Sequence, residues 1–257
     1  AHASLLDGCL LSRAEFQRFR HNDLADLERR LAASTAPAKL IAVDAVYSMD
    51  GDEAPLAALL ALAERFDAWL YVDDAHGFGV LGPQGRGTLA THGVAPHPRL
   101  VQLATFGKAA GLAGAAVAAD AQVIDWLVNT ARTAIFTTAM PPALAHALTA
   151  MLALVEPADA ARARLAGHVA TLRAGCAAAG LQLLPSRTAI QPVLIGSDAD
   201  AVAASLALRE AGLWVPAIRP PTVPPGTARL RVSLSAAHTE TDVAQLAAQL
   251  SQIMTKR

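Results

Sequence analysis

The sequence predicts an α/β protein, with a larger domain on a mostly parallel sheet followed by a smaller α+β domain. Three observations predict it. Strand-like apolar runs alternate with helical patterns over the first half of the chain. Two of those runs end in polar clusters, Asp73-Asp74-Ala75-His76-Gly77 and Thr105-Phe106-Gly107-Lys108, as ligand-binding sheet edges do. Finally, 53% of the 257 residues are apolar, enough for a sizeable core.

In order, Asn22 or Asp23 can cap a helix over 22–33, whose leucines at 24, 27 and 31 share one face. Residues 40–46 read as a strand and 54–66 as a helix. Residues 69–72 form a short buried strand; strands at 100–104 and 115–118 follow, then a helix at 120–131. The helical stretch 141–179 opens on Pro141-Pro142, which suit a first turn, and breaks at Glu156-Pro157. Beyond it, strands are expected at 181–184, 190–195, 214–217 and 228–234, with helices at 199–211 and 240–253. The expected division is a large domain over 1–158 and a small α+β domain over 159–257.

Composition narrows the function. The 21 Lys and Arg nearly balance 22 Asp and Glu, and no basic stripe with interleaved aromatics is present, so nothing favours a nucleic-acid partner. Cys9 and Cys176 stand apart without metal-ligand spacing, which argues against a disulfide framework or a zinc site and fits a reducing cytoplasm. Apolar runs such as 109–119 fall short of a membrane span. The opening Ala1-His2-Ala3-Ser4 has neither an initiator Met nor a signal segment, and reads as the interior of a longer protein.

Lys108 follows the apolar run 100–104 and precedes a stretch of glycine and alanine, a setting in which its amine is expected to be buried. A buried ammonium costs free energy unless it is put to chemical use, and such lysines are candidates for covalent chemistry with carbonyls. The competing reading is a solvated lysine at a strand end. Upstream, Asp73, Asp74 and His76 set carboxylates and an imidazole at another strand end, more than a turn or helix cap requires.

The run Val46-Tyr47-Ser48-Met49-Asp50-Gly51-Asp52, then Val72-Asp73-Asp74-Ala75-His76-Gly77, then Thr105-Phe106-Gly107-Lys108, in this order, resembles the α-oxoamine synthases, pyridoxal-phosphate enzymes of fold type I. Further along, residues 217–224 with Arg219-Pro220-Pro221-Thr222, the stretch Ala228-Arg229-Leu230-Arg231, and Ala236-Ala237-His238 extend the resemblance. It covers essentially the whole chain, but the family's chains are longer at the amino end. The large domain is therefore expected to be incomplete at its N-terminus.

The resemblance implies pyridoxal 5'-phosphate as cofactor and condensation of L-alanine with a pimeloyl thioester, on CoA or an acyl carrier protein, with loss of CO2. Lys108 would be the covalent anchor and the acid and base at the α-carbon, and Asp73 the partner of the pyridine nitrogen. His76 and Ser48 would lie near the phenolic oxygen, and His2 would stack on the ring face. Thr105 would bind the phosphate, joined by Thr138 from a neighbouring subunit in a homodimer. Arg231 would clamp the substrate carboxylate, although Arg229 shares its strand face, and Thr222 would contact the acyl group. Asp74 is expected to be structural. The alternatives are a glycine-using member of the same family that takes acetyl-CoA or succinyl-CoA, or a non-catalytic fragment that only dimerises.

Overall fold

The computed structural model describes residues 1–255, which divide into two compact units. The first comprises Ala1–Val46 and Glu53–Ala158; the second, Tyr47–Asp52 with the chain from Asp159 onward. The Tyr47–Asp52 loop thus belongs with the second unit, although it falls within the first 158 residues.

The first unit opens with helix α1 (Ala3–Leu11), a segment for which the sequence pattern suggested no element. Helix α2 (Leu24–Ala33) begins where Asp23 accepts the backbone amide of Asp26, and it buries Leu27 and Leu31. Then come β1 (Lys39–Asp44), α3 (Leu56–Arg65) and β2 (Ala68–Asp73). A short helix α4 (Thr88–Thr91) precedes β3 (Leu100–Thr105) and β4 (Ala115–Ala118). Helices α5 (Ala121–Thr130), α6 (Arg132–Ile135) and α7 (Pro142–Val155) complete the unit.

Its sheet has the order β1-β2-β3-β4, with the first three strands parallel and β4 antiparallel to β3. One face carries Ile41, Val43, Leu70 and Val72, which are buried with Leu56, Leu59 and Ala63 of α3. The other face carries Asp44, Tyr71, Asp73, Leu103 and Thr105, because side chains alternate along each strand and the parallel register sets Asp44 opposite Asp73 and Asp73 opposite Leu103.

The second unit is formed by α8 (Asp159–Ala178), β5 (Ile190–Gly196), α9 (Asp198–Glu210), β6 (Ala217–Ile218), β7 (Ala228–Ser233) and α10 (Glu240–Thr255). Its antiparallel sheet runs β5-β7-β6 over a core that includes Leu172, Val193, Leu208, Leu230, Leu246 and Leu250. Two expected strands are nearly absent. Residues 181–184 make only the single bridge Leu183 to Val193, since Pro192 has no amide to donate and Pro185 ends the run. The strand expected at 214–217 shrinks to Ala217–Ile218, because Pro216 interrupts it. Among the described residues, no helix is long and apolar enough to cross a membrane.

Candidate functional site

The carboxyl edge of the first sheet gathers polar side chains where the strands stop. Asp44 and Asp73 end β1 and β2 in register, and Thr105 ends β3 on the same face. Asp73 is 7% exposed, and its Oδ1 accepts the amide of Ala75 at 3.0 Å. The hydroxyl of Thr105 is covered yet has no hydrogen-bond partner among the described residues. A buried hydroxyl left unpaired in a folded chain is unusual and marks a place where a ligand can bond. Burial lifts the carboxyl of Asp44 above its ordinary range, with Asp73 adding to it, while the backbone amide of His2 bonds it at 3.0 Å and opposes the rise. The phenol of Tyr71, half-buried on the same face, is pushed up to about 12 by burial and by the charges of Asp73 and Asp44.

Behind this edge, Asp74 is fully buried. It accepts the Thr88 hydroxyl at 2.6 Å, the Thr88 amide at 2.8 Å and Gln102 Nε2 at 3.1 Å. Burial still lifts its pKa to about 6 against those bonds. Gly77 and Gly87 make the packing possible, because a Cβ on either would stand about 2 Å from the carboxylate. The amides of Gly77 and Phe78 close a turn onto the Asp74 carbonyl at 3.1 and 2.9 Å, and half-buried His76 sits in that turn.

Lys108 stands in the loop between β3 and β4, three residues beyond Thr105, and its side chain is exposed rather than buried as expected. The reason is local: Gly107 and Ala109 beside it are too small to cover a four-carbon stem, and an ammonium is better solvated by water than by apolar neighbours. The loop itself is firmly placed. Phe106 and Leu112 pair through N–H to O contacts of 2.9 Å to Gly114 and 2.8 Å to Phe106, respectively. Buried Phe106 meets Phe78 edge to face at 5.9 Å, and Ala109 packs where Gly79 leaves room. The Lys108 and His76 loops are therefore packed against each other.

His2 is exposed and caps α1, its Nδ1 accepting the amide of Ser4 at 3.3 Å. Thr138 lies exposed in the segment between α6 and α7, and its hydroxyl makes no hydrogen bond to that of Thr105. In the second unit, half-buried Arg231 donates Nε to the Ser48 carbonyl at 2.5 Å and Nη1 to Ser233 Oγ at 2.8 Å. Burial lowers its pKa. Arg229 is 5% exposed and ion-paired to Asp50. The guanidinium of Arg229 is thus committed to its own fold, which separates the two arginines that the sequence left interchangeable. Thr222 is exposed in the turn before β7, its amide bonded to the Arg219 carbonyl at 3.1 Å.

Within the first unit the structure brings Asp73, Thr105, the His76 turn and the Lys108 loop to one sheet edge; within the second it joins Ser48 to Arg231. Sequence reasoning overlooked Asp44, Tyr71, Asp50 and the Thr88–Gln102 partners of Asp74. For Asp44 a signal existed, a carboxylate ending an apolar run just as Asp73 does. Gln102 and Thr88 carried none, since only the fold sets them against Asp74. A cofactor with a basic ring nitrogen and a phosphate suits this edge: a buried carboxylate can hold the ring cationic, and the unpaired hydroxyl of Thr105 can donate to an anion.

Residues 1–250 match the model for the aminotransferase class I and II family. An 8-amino-7-oxononanoate synthase of Aromatoleum aromaticum is 62% identical over 256 residues, covering 100% of this chain and 66% of that protein. One from Chromobacterium violaceum is also 62% identical, over 98% of this chain and 64% of its own length. The chain thus spans just under two thirds of these relatives. Among solved structures, a Sphingomonas wittichii serine palmitoyltransferase superposes with a TM-score of 0.93 at 34% identity, covering 100% of this chain and 65% of that one. An 8-amino-7-oxononanoate synthase from Francisella tularensis gives 0.86 at 30%, over 99% of this chain and 73% of the other.

Proposed function

Because this chain belongs to the aminotransferase class I and II family, we propose that it is part of a pyridoxal-phosphate-dependent acyltransferase that condenses L-alanine with a pimeloyl thioester. The products are 8-amino-7-oxononanoate, CO2 and the free thiol, a step of biotin synthesis. The observation that carries the reading is the buried Asp73 and the unpaired hydroxyl of Thr105 on one face at the same sheet edge, with Lys108 three residues further on. The names of the most similar relatives support the choice of substrates.

When bound, pyridoxal phosphate supplies an electron sink for charge that develops at the amino acid's α-carbon. The chain's own residues do the rest. Asp73 would hold the ring nitrogen protonated, since a fixed, buried carboxylate favours the charged form of a basic partner. Thr105 donates its hydroxyl to the phosphate. Lys108, in the loop just beyond β3, would be the covalent anchor and the base that takes the proton from the α-carbon. His76 and Ser48 would hold the ring's phenolic oxygen, and His2 would cover the ring face. Arg231 grips the amino-acid carboxylate with a guanidinium fork, and Thr222 lines the acyl path.

Thr138 reaches the phosphate of a neighbouring subunit in a homodimer, in keeping with the exposed Ile135, Phe136 and Met140 around it. The acyl group arrives on CoA or on a carrier protein, and the reaction belongs to the cytoplasm. Steady-state turnover of L-alanine and glycine against pimeloyl, acetyl and succinyl thioesters tests the reading. It requires the highest kcat/KM for L-alanine with the pimeloyl thioester; preference for glycine with acetyl-CoA contradicts it.

A further inference from the structure

Arg229 carries a buried charge for which the proposed chemistry has no use. Beyond its ion pair with Asp50, its Nη1 lies 3.4 Å from the Met49 carbonyl, and Nε and Nη2 bond Thr227 at 3.0 and 3.2 Å. Both Asp50 and Met49 lie in the loop Tyr47–Asp52, which closes on itself through Gly51 N to Tyr47 O at 2.7 Å and Tyr47 N to Asp52 O at 3.0 Å. The loop is held from its other side too, where the Gly51 carbonyl accepts Ser186 Oγ at 2.8 Å and Thr188 Oγ1 at 3.0 Å. Gly51 sits at φ +70°, and a Cβ there would meet the Ile190 carbonyl at 2.3 Å.

The same loop touches Arg231. Its Ser48 carbonyl receives Arg231 Nε at 2.5 Å, while Ser233 Oγ receives Nη1 at 2.8 Å. A guanidinium has about five N–H donors. Nη2 of Arg231 has no protein partner among the described residues. The anchored Nε therefore fixes the direction in which the remaining N–H groups face.

We infer that the Arg229–Asp50 pair is a positioning device: by locking the loop whose Ser48 carbonyl holds Arg231, it sets the guanidinium of Arg231 in the orientation that a substrate carboxylate needs. Arg229 is buried while Asp50 is 37% exposed at its side chain, and an ion pair of this kind adds little net stability over an apolar replacement, so its place beside Arg231 is explained by geometry. The inference rests on the reading of Arg231 as the carboxylate clamp and adds how that clamp is aimed.

The test uses the pyridoxal-phosphate-loaded protein and follows amino-acid binding by the cofactor's absorbance. L-alanine is compared with ethylamine, which has the amine but no carboxylate. Asp50→Asn and Arg229→Met each weaken L-alanine binding about tenfold and leave ethylamine binding unchanged; the double variant is no weaker than either single one. Arg229→Lys restores part of the loss, and kcat at saturating L-alanine stays within about twofold. If Arg229→Met does not fold, Asp50→Asn and Arg229→Lys decide. L-alanine binding unchanged in these variants, or ethylamine weakened in parallel, overturns the inference. Failure of the underlying reading looks different: Arg231→Lys itself would then bind L-alanine as tightly as the unsubstituted protein, which removes the inference with it.

Discussion

Thr88 donates both its hydroxyl and its amide to the carboxylate of Asp74, at 2.6 and 2.8 Å, and so ties the turn that carries His76 to the start of α4. The carboxylate lies next to Asp73 in sequence but behind the sheet edge, where water does not reach it. Its charge is therefore held by three N–H and O–H donors alone.

That arrangement has a pH signature. The folded pKa of Asp74, about 6, is above the unfolded 3.8, so the unfolded chain loses its proton first as pH rises. The contribution of this group to stability is complete below pH 3.8 and declines until about pH 6, by at most about 3 kcal/mol. In Asp74→Asn the amide nitrogen can face the Thr88 hydroxyl while its oxygen keeps the other two donors. Thermal melting from pH 4 to 7 is expected to show a shallower fall for Asp74→Asn than for the unsubstituted chain. Equal slopes would mean that Asp74 does not titrate in this range.

Thr105→Val removes a buried hydroxyl that has no partner among the described residues. The cofactor-free protein is expected to keep or gain stability, by about 1 kcal/mol, since an unsatisfied group is lost. Pyridoxal-phosphate affinity is expected to fall about tenfold, the worth of one charge-assisted hydrogen bond. Equilibrium titration and melting of the same preparation check both signs; a loss of stability without a loss of affinity would assign Thr105 to the fold.

Gly79→Ala tests the contact between the two loops. Its φ of +75° is strained for a side chain, and the new Cβ would lie 2.5 Å from that of Ala109. Unfolding free energy is expected to drop by about 1 to 3 kcal/mol, with cofactor binding weakened because the Lys108 loop is displaced. Gly93→Ala, with nothing within 4 Å of its Cβ, is the matching control for backbone strain alone. Equal effects of both substitutions on cofactor binding would exclude the loop contact as the cause.

Much of this was legible in residues. The apolar runs around Ile41, Leu70 and Val101 announced parallel strands because both period and length were right, and Asp73 and Lys108 marked where two of those strands end. Lys108 is exposed where its neighbours suggest burial, since glycine and alanine describe a loop's composition and not whether anything covers a side chain in it. Prolines explain the shortened strands: Pro185, Pro192 and Pro216 were visible, but their effect depends on which strand needs which amide. Long-range partners such as Asp50 with Arg229, far apart in sequence, have no local pattern to betray them.

The most direct measurement is borohydride reduction of the pyridoxal-phosphate-loaded protein followed by peptide mapping. The chain has three lysines, Lys39, Lys108 and Lys256, so assignment of the label is unambiguous. Stoichiometric label on Lys108 is the expected result. Label on Lys39 or Lys256, or no covalent label at all, would contradict the account.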